Sequence, residues 1–117
     1  MSMKTASFFT TVSMAGRVSI ARYEPKLVRG IPAYRKLAPG PATWEARADR
    51  AEYERLFDAQ LRALDPRETW DALHRLVACE VVLLCWCAKG QFCHRRSVSR
   101  WFMAELGEDV PELEVQI

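Results

Sequence analysis

The amino-acid sequence predicts an α/β fold: a single small domain over residues 1–117, with a central, mostly parallel sheet flanked by helices. Three observations lead there. Residues 81–87, VVLLCWC, form an apolar run without alternation, the pattern of a central strand covered on both faces. Two amphipathic stretches precede that run, and a third follows it after a short glycine-containing break. Of the 117 residues 50% are apolar and 27% charged, so the chain has the composition of one globular domain rather than of a disordered segment.

The elements follow in chain order. Residues 6–11, ASFFTT, are β-prone, and residues 18–23, VSIARY, alternate Val18, Ile20 and Arg22 against Ser19, Ala21 and Tyr23. Both predict strands, with SMAG as the turn between them. Residues 24–41, rich in Pro, Gly and basic side chains, have no periodicity and predict a long ordered loop or lid. Residues 44–64 predict one helix with Tyr53, Leu56, Phe57, Leu61 and Leu64 as its apolar stripe and Thr43 as its cap. Asp65, Pro66 and Glu68 then spell an N-cap, a first-turn proline and a capping-box partner for a second helix burying Trp70, Leu73 and Val77. His74 lies beside that stripe and reads as a structural or surface histidine. After the apolar strand, Val98, Trp101, Phe102 and Leu106 share one face of a helix that opens at His94 and ends at Gly107. LEVQI at the end is a candidate last strand.

The chemistry concentrates in the strand–loop–helix segment. Cys79, Cys85, Cys87 and Cys93 all fall within 15 residues, too close for bridges between them to constrain much chain. With no signal peptide and no apolar run of membrane-spanning length, we expect a soluble, cytoplasmic protein whose cysteines are metal ligands, reactive thiols or buried apolar filler. Cys85 and Cys87 leave the same face of the strand. Cys93 falls in the loop or the first helical turn, where the helix dipole favours a thiolate, and His94 and Arg95 would add positive charge at the same end. A zinc site of Cys85, Cys87, Cys93 and His94 is the metal alternative, although adjacent Cys93 and His94 do not readily bind one ion. A phosphatase-type loop is not supported, because no arginine lies at the required spacing after Cys85 or Cys87. Charge is also uneven: residues 1–36 carry seven basic groups against the single acid Glu24, which suits an anionic ligand.

The segment LLCWCAKGQFCHRRSVSRWF resembles the signature of family 488 of the domains of unknown function, found in bacterial and phage proteins. There a strand ending in Leu-Cys is followed by a short loop and by Cys-His-Arg opening a helix. ASFFTT, VSIARYEPK with its Ile-Ala-Arg core, and KLAPGPATW resemble other blocks of the same family, so the likeness covers nearly the whole chain. Two departures stand out: Cys87 occupies a position that is acidic in many members, and Gln116 replaces a terminal histidine. Carried over by position, the resemblance points to Cys85, Cys93, His94, Arg95 and Arg22.

Together these readings predict a small enzyme or binding protein for a phosphate-bearing ligand, a nucleotide or nucleic acid. Cys93 and His94 are the candidate catalytic pair, Arg22, Cys85 and Arg95 the ligand-binding residues, and no cofactor is required. The competing expectation is a non-catalytic, zinc-stabilised module that binds nucleic acid or an acidic protein partner. A membrane partner is not expected, and nothing in the sequence sets the oligomeric state.

Overall fold

In a computed structural model the chain is described over residues 2–8, 16–23, 30–77, 79–85 and 94–113. Its elements are β1 (Met3–Ser7), β2 (Arg17–Ser19), a 3-10 turn at Arg35–Leu37, α1 (Pro41–Glu45), α2 (Arg50–Arg62), α3 (Pro66–Leu76), β3 (Val81–Cys85) and α4 (His94–Leu106). The three strands form one parallel sheet in the order β1-β3-β2, the α/β fold that the sequence predicts.

β3 is the interior strand. It pairs with β1 from Met3↔Val81 to Ser7↔Cys85 and with β2 from Arg17↔Val82 to Ser19↔Leu84, and all five of its residues are buried. Its continuous apolar character follows from that position, since a strand covered on both faces has no side to leave polar. On one face Val81, Leu83 and Cys85 join Met3, Val18 and Ile20, and Phe57 and Leu61 of α2, Trp70 and Leu73 of α3, and Val98 and Phe102 of α4 pack onto them. On the other face Val82 and Leu84 lie with Ala6 in a smaller cluster that Phe8, Ile31 and Leu113 half-cover.

Two isolated bridges widen the sheet. Ala33 adds beside Ser19 at the β2 edge, and Glu112 adds beside Thr5 at the β1 edge. The second is reinforced by Thr5 N–H to Pro111 O at 2.9 Å and Leu113 N–H to Thr5 O at 2.7 Å. The C-terminal segment thus runs as a further parallel neighbour of β1, and the final residues of LEVQI lie outside the described set. Gly16, at φ +81°, turns the chain into β2 so closely that a Cβ there would sit 2.1 Å from Glu80 O. Only glycine fits both the angle and the approach.

Three sequence expectations shift. The first strand begins at Met3 rather than Ala6, because the register with β3 buries Met3, Thr5 and Ala6; residues 9–11 lie outside the described set. The second strand ends at Ser19, and Ala21 to Tyr23 bend away from the sheet. The single helix expected over 44–64 is two. α1 starts at Gly40-Pro41, and Thr43 is buried inside it rather than capping anything. Asp49 then accepts from Glu52 N–H at 3.2 Å and starts α2 afresh. The pattern Asp-x-x-Glu was legible at that point, but the longer apolar stripe masked it.

α3 and α4 begin where the sequence puts them. Asp65 Oδ1 accepts from Glu68 N–H at 3.1 Å with Pro66 in the first turn. His74 is structural: Nδ1 lies 2.9 Å from Trp70 O and Nε2 3.1 Å from Ser2 O, which ties α3 to the start of β1. Gly107, at φ +68°, ends α4 by donating its N–H to Met103 O at 3.0 Å. Asp65→Ala should lower the unfolding free energy by about 1 kcal/mol. Chemical denaturation of the purified variant measures it, and an unchanged midpoint would contradict the cap.

Candidate functional site

In a parallel sheet all strands end on one side, and ligands gather outside those carboxyl ends. Here β1 ends at Ser7, β2 runs out through Ile20 to Tyr23, β3 ends at Cys85, and α4 starts at His94. The sequence candidates Arg22, Cys85, His94 and Arg95 therefore all reach this end, but they divide into two groups. Cys87 and Cys93 lie outside the described residues.

Arg95 belongs to the interior. Among the described residues it is the largest fully buried side chain, with no exposed surface. Its Nε and one terminal nitrogen donate to Glu112 Oε1 and Oε2 at 3.0 and 3.1 Å, and the other terminal nitrogen donates to Cys85 Sγ at 2.9 Å. Thr5 Oγ1 donates to Glu112 Oε1 at 2.8 Å. A buried guanidinium demands this arrangement, since an unpaired charge in the core costs several kcal/mol. The expectation that Arg95 faces the ligand beside Arg22 is therefore corrected: its charge is spent on Glu112, and it joins α4, β3 and the C-terminal segment. Sequence reasoning missed Glu112 because its partner lies 17 residues earlier, on another element.

Cys85 is also interior, and its sulfur is disulfide-bonded. The expectation that the clustered cysteines are unpaired does not hold for Cys85, although it does for exposed Cys79. Of the zinc alternative, Cys85 is thus oxidised and His94 Nε2 is engaged, while Cys87 and Cys93 are not described. Among the described residues no three His, Cys, Asp or Glu side chains gather as a metal set.

His94 and Arg22 form the second group. They line one pocket of about 140 Å³ together with Ala21, Tyr23, Pro39, Trp44 and Tyr53. His94 is buried, with Nε2 2.6 Å from Ile20 O and its ring edge-on to Phe57 at 5.2 Å. A carbonyl oxygen only accepts, so Nε2 carries the proton and Nδ1 is the basic nitrogen. Burial pushes its pKa down to about 4, with the nearby Arg95 charge acting the same way and the Ile20 hydrogen bond opposing. The ring is neutral at physiological pH, which corrects the expectation that it adds positive charge to the helix start.

The positive charge comes from Arg22 instead. One terminal nitrogen donates to Pro39 O at 3.1 Å, and Nε is buried with no hydrogen-bond partner. Beside the pocket a wider cleft of about 380 Å³ shares Arg22, Tyr23 and Pro39 and adds Arg35, Ala38, Gly40 and Gln60. Gln60 Nε2 donates to Ala38 O at 2.6 Å and its oxygen accepts from Gly40 N–H at 3.0 Å, so α2 fixes the wall that carries Pro39. Arg35 donates to Ala21 O at 2.7 Å, which holds the chain beside Arg22. Among the described residues no acid lines either space. Trp44, Tyr53 and Arg35 are pocket residues that the sequence did not single out, since helical periodicity accounts for Tyr53 and a basic loop for Arg35.

Fold and site together define a small, single-domain α/β protein with an arginine-lined cleft at the carboxyl end of a parallel sheet. The chain belongs to the DUF488-N3a family, described as the active DUF488-N3 subclade, whose model matches residues 13–106. No curated protein and no solved structure matches it. Ala21 and Arg22, Pro39 with Trp44, and His94, drawn from three of the blocks that carry the family resemblance, line this pocket, and Ala38 and Gly40 line the cleft beside it.

Two outcomes follow from these geometries. Glu112→Ala should destabilise the protein by about 3–5 kcal/mol, because it strands the Arg95 charge, whereas Arg95→Met combined with Glu112→Leu should cost clearly less. Denaturant titration of the single and double variants checks this. For His94 the folded pKa is depressed below the value of about 6.5 for the free side chain, so unfolded chains bind the proton that the folded protein refuses. Stability should be full above pH 6.5 and fall as pH drops toward 4, by about 3 kcal/mol in all. Unfolding followed from pH 7 to pH 4 should show a flatter slope in His94→Gln than in the parent.

Proposed function

We propose that the protein is a small enzyme, or a binding protein, for a phosphate-bearing ligand held at the strand–loop–helix junction. One observation carries the proposal: Arg22, with its Nε buried and unbonded, shares a pocket with His94 at the carboxyl end of the sheet, with no acid lining it among the described residues. A half-buried guanidinium with unused donors gains most from an anion that accepts in its plane, and phosphate does so. Arg35 across the adjoining cleft adds a second positive charge. The locally basic N-terminal third thus supplies the anion-facing groups, in place of Arg95.

For catalysis the nucleophile is assigned to Cys93 in its reduced form, and His94, its neighbour in sequence, to a hydrogen-bonding role as a neutral ring, since a pKa of about 4 makes it a weak base. A neutral imidazole cannot neutralise phosphate, so the charge facing the ligand falls to Arg22. The description of the family's subclade as active favours an enzyme over a passive module. The proposal includes a cytoplasmic location; among the described residues no helix is long and apolar enough to cross a membrane.

The test uses inorganic phosphate and ribose 5-phosphate as probes in calorimetric titration. The parent should bind ribose 5-phosphate with an affinity that falls as salt rises, and Arg22→Ala should weaken it about tenfold or more. Equal binding by parent and Arg22→Ala, or no binding by the parent, would overturn the proposal.

A further inference from the structure

The Arg22 pocket is more than an anion site. Its walls are the indole of Trp44 from α1, the buried phenol of Tyr53 from α2, Pro39, Ala21, Tyr23 and the neutral His94 ring. At about 140 Å³ it is on the scale of cavities that take one aromatic ring. Trp44 is held from outside by the Arg47 guanidinium, 4.7 Å from its ring centroid, and Tyr53 is stacked on Phe57 at 6.5 Å. These rings are therefore set in place before any ligand arrives. Phosphate alone has no use for such a wall. A planar heteroaromatic ring does, because it can stack on indole and phenol while excluding water.

The arginine cleft opens directly beside this slot and shares Arg22, Tyr23 and Pro39 with it. A ligand spanning both spaces has a flat ring at one end and an anion at the other. Arg22 lies at the junction, with Arg35 farther along the cleft. From this juxtaposition of an aromatic slot with a two-arginine cleft we infer that the ligand is a free nucleoside monophosphate, its base in the slot and its phosphate between Arg22 and Arg35. The inference rests on the phosphate-ligand reading above and adds the base. The surface that the slot presents is mostly apolar, so the base is selected by its flatness and size more than by its hydrogen-bonding edge. Purine and pyrimidine monophosphates should then bind within an order of magnitude of each other.

The test titrates the full chain with AMP, CMP, ribose 5-phosphate, adenosine and a single-stranded oligonucleotide. AMP and CMP should bind about tenfold or more tightly than ribose 5-phosphate, the scale of one base stacked on an aromatic ring. Trp44→Leu should lose that advantage while leaving ribose 5-phosphate unchanged, and Trp44→Phe, which keeps a ring, should retain most of it. Far-ultraviolet circular dichroism shows whether the variants are folded. Should Trp44→Leu not fold, quenching of tryptophan emission by AMP in the parent, absent in Trp44→Phe, supplies the same evidence. AMP binding no better than ribose 5-phosphate would overturn the base slot and leave the phosphate reading standing. Adenosine binding as well as AMP would overturn the phosphate reading and keep the slot. An oligonucleotide binding more tightly than any monophosphate would replace the free nucleotide with a polymer.

Discussion

A charged guanidinium in the core is the constraint around which the rest of this molecule is arranged. Arg95 follows the first residue of α4 and has no exposure, so its donors must be met by side chains from the surrounding elements. Glu112 meets two of them, and Cys85 at the end of the central strand meets a third. Because Glu112 is also bridged to Thr5, one ion pair fixes the start of α4, the end of β3, the β1 edge and the C-terminal segment relative to one another. With the start of α4 fixed, His94 is fixed too, and its ring is pressed against Phe57 with Nε2 on the Ile20 carbonyl. The pocket depends on that chain of contacts although Arg95 does not line it.

The same arrangement explains how neighbouring positions take opposite roles. Consecutive residues at a helix start point in directions about 100° apart, from 3.6 residues per turn. His94 therefore faces the β2 side, where Ile20, Ala21 and Arg22 leave the sheet, and Arg95 faces the β1 side, where Glu112 arrives. The central strand separates the two. One half of the junction is a saturated ion pair that does mechanical work, and the other retains an arginine with a buried, unbonded Nε.

Much of the fold was legible because its signals are local. The run VVLLC, the Asp65-Pro66-Glu68 start and the helix from His94 each depend on residues within a few positions, and each appears where the sequence puts it. The break at Ala46 to Asp49 was hidden by a stripe that continues across it, and the start of β1 was set by register against β3, which composition cannot show. The site was legible in part. Arg22 and His94 were singled out through the strand pattern and the family resemblance, and the two share a pocket. Arg95 was assigned with them because sequence proximity says nothing of direction, and its partner Glu112 becomes visible only once the C-terminal segment lies beside β1. Trp44 and Tyr53 were absorbed into the helical pattern, and nothing in one dimension marks a core-face aromatic as the wall of a cleft.

The central claim is that Arg22 serves the ligand and Arg95 serves the fold. The Nε–Hε proton resonances of the arginines, recorded by ¹H–¹⁵N NMR while ribose 5-phosphate is added, test it most directly. The Arg22 resonance should move in proportion to occupancy as its unbonded Nε gains an acceptor, and the Arg95 resonance should stay fixed on Glu112. Movement of the Arg95 resonance with the Arg22 resonance unchanged would contradict the account.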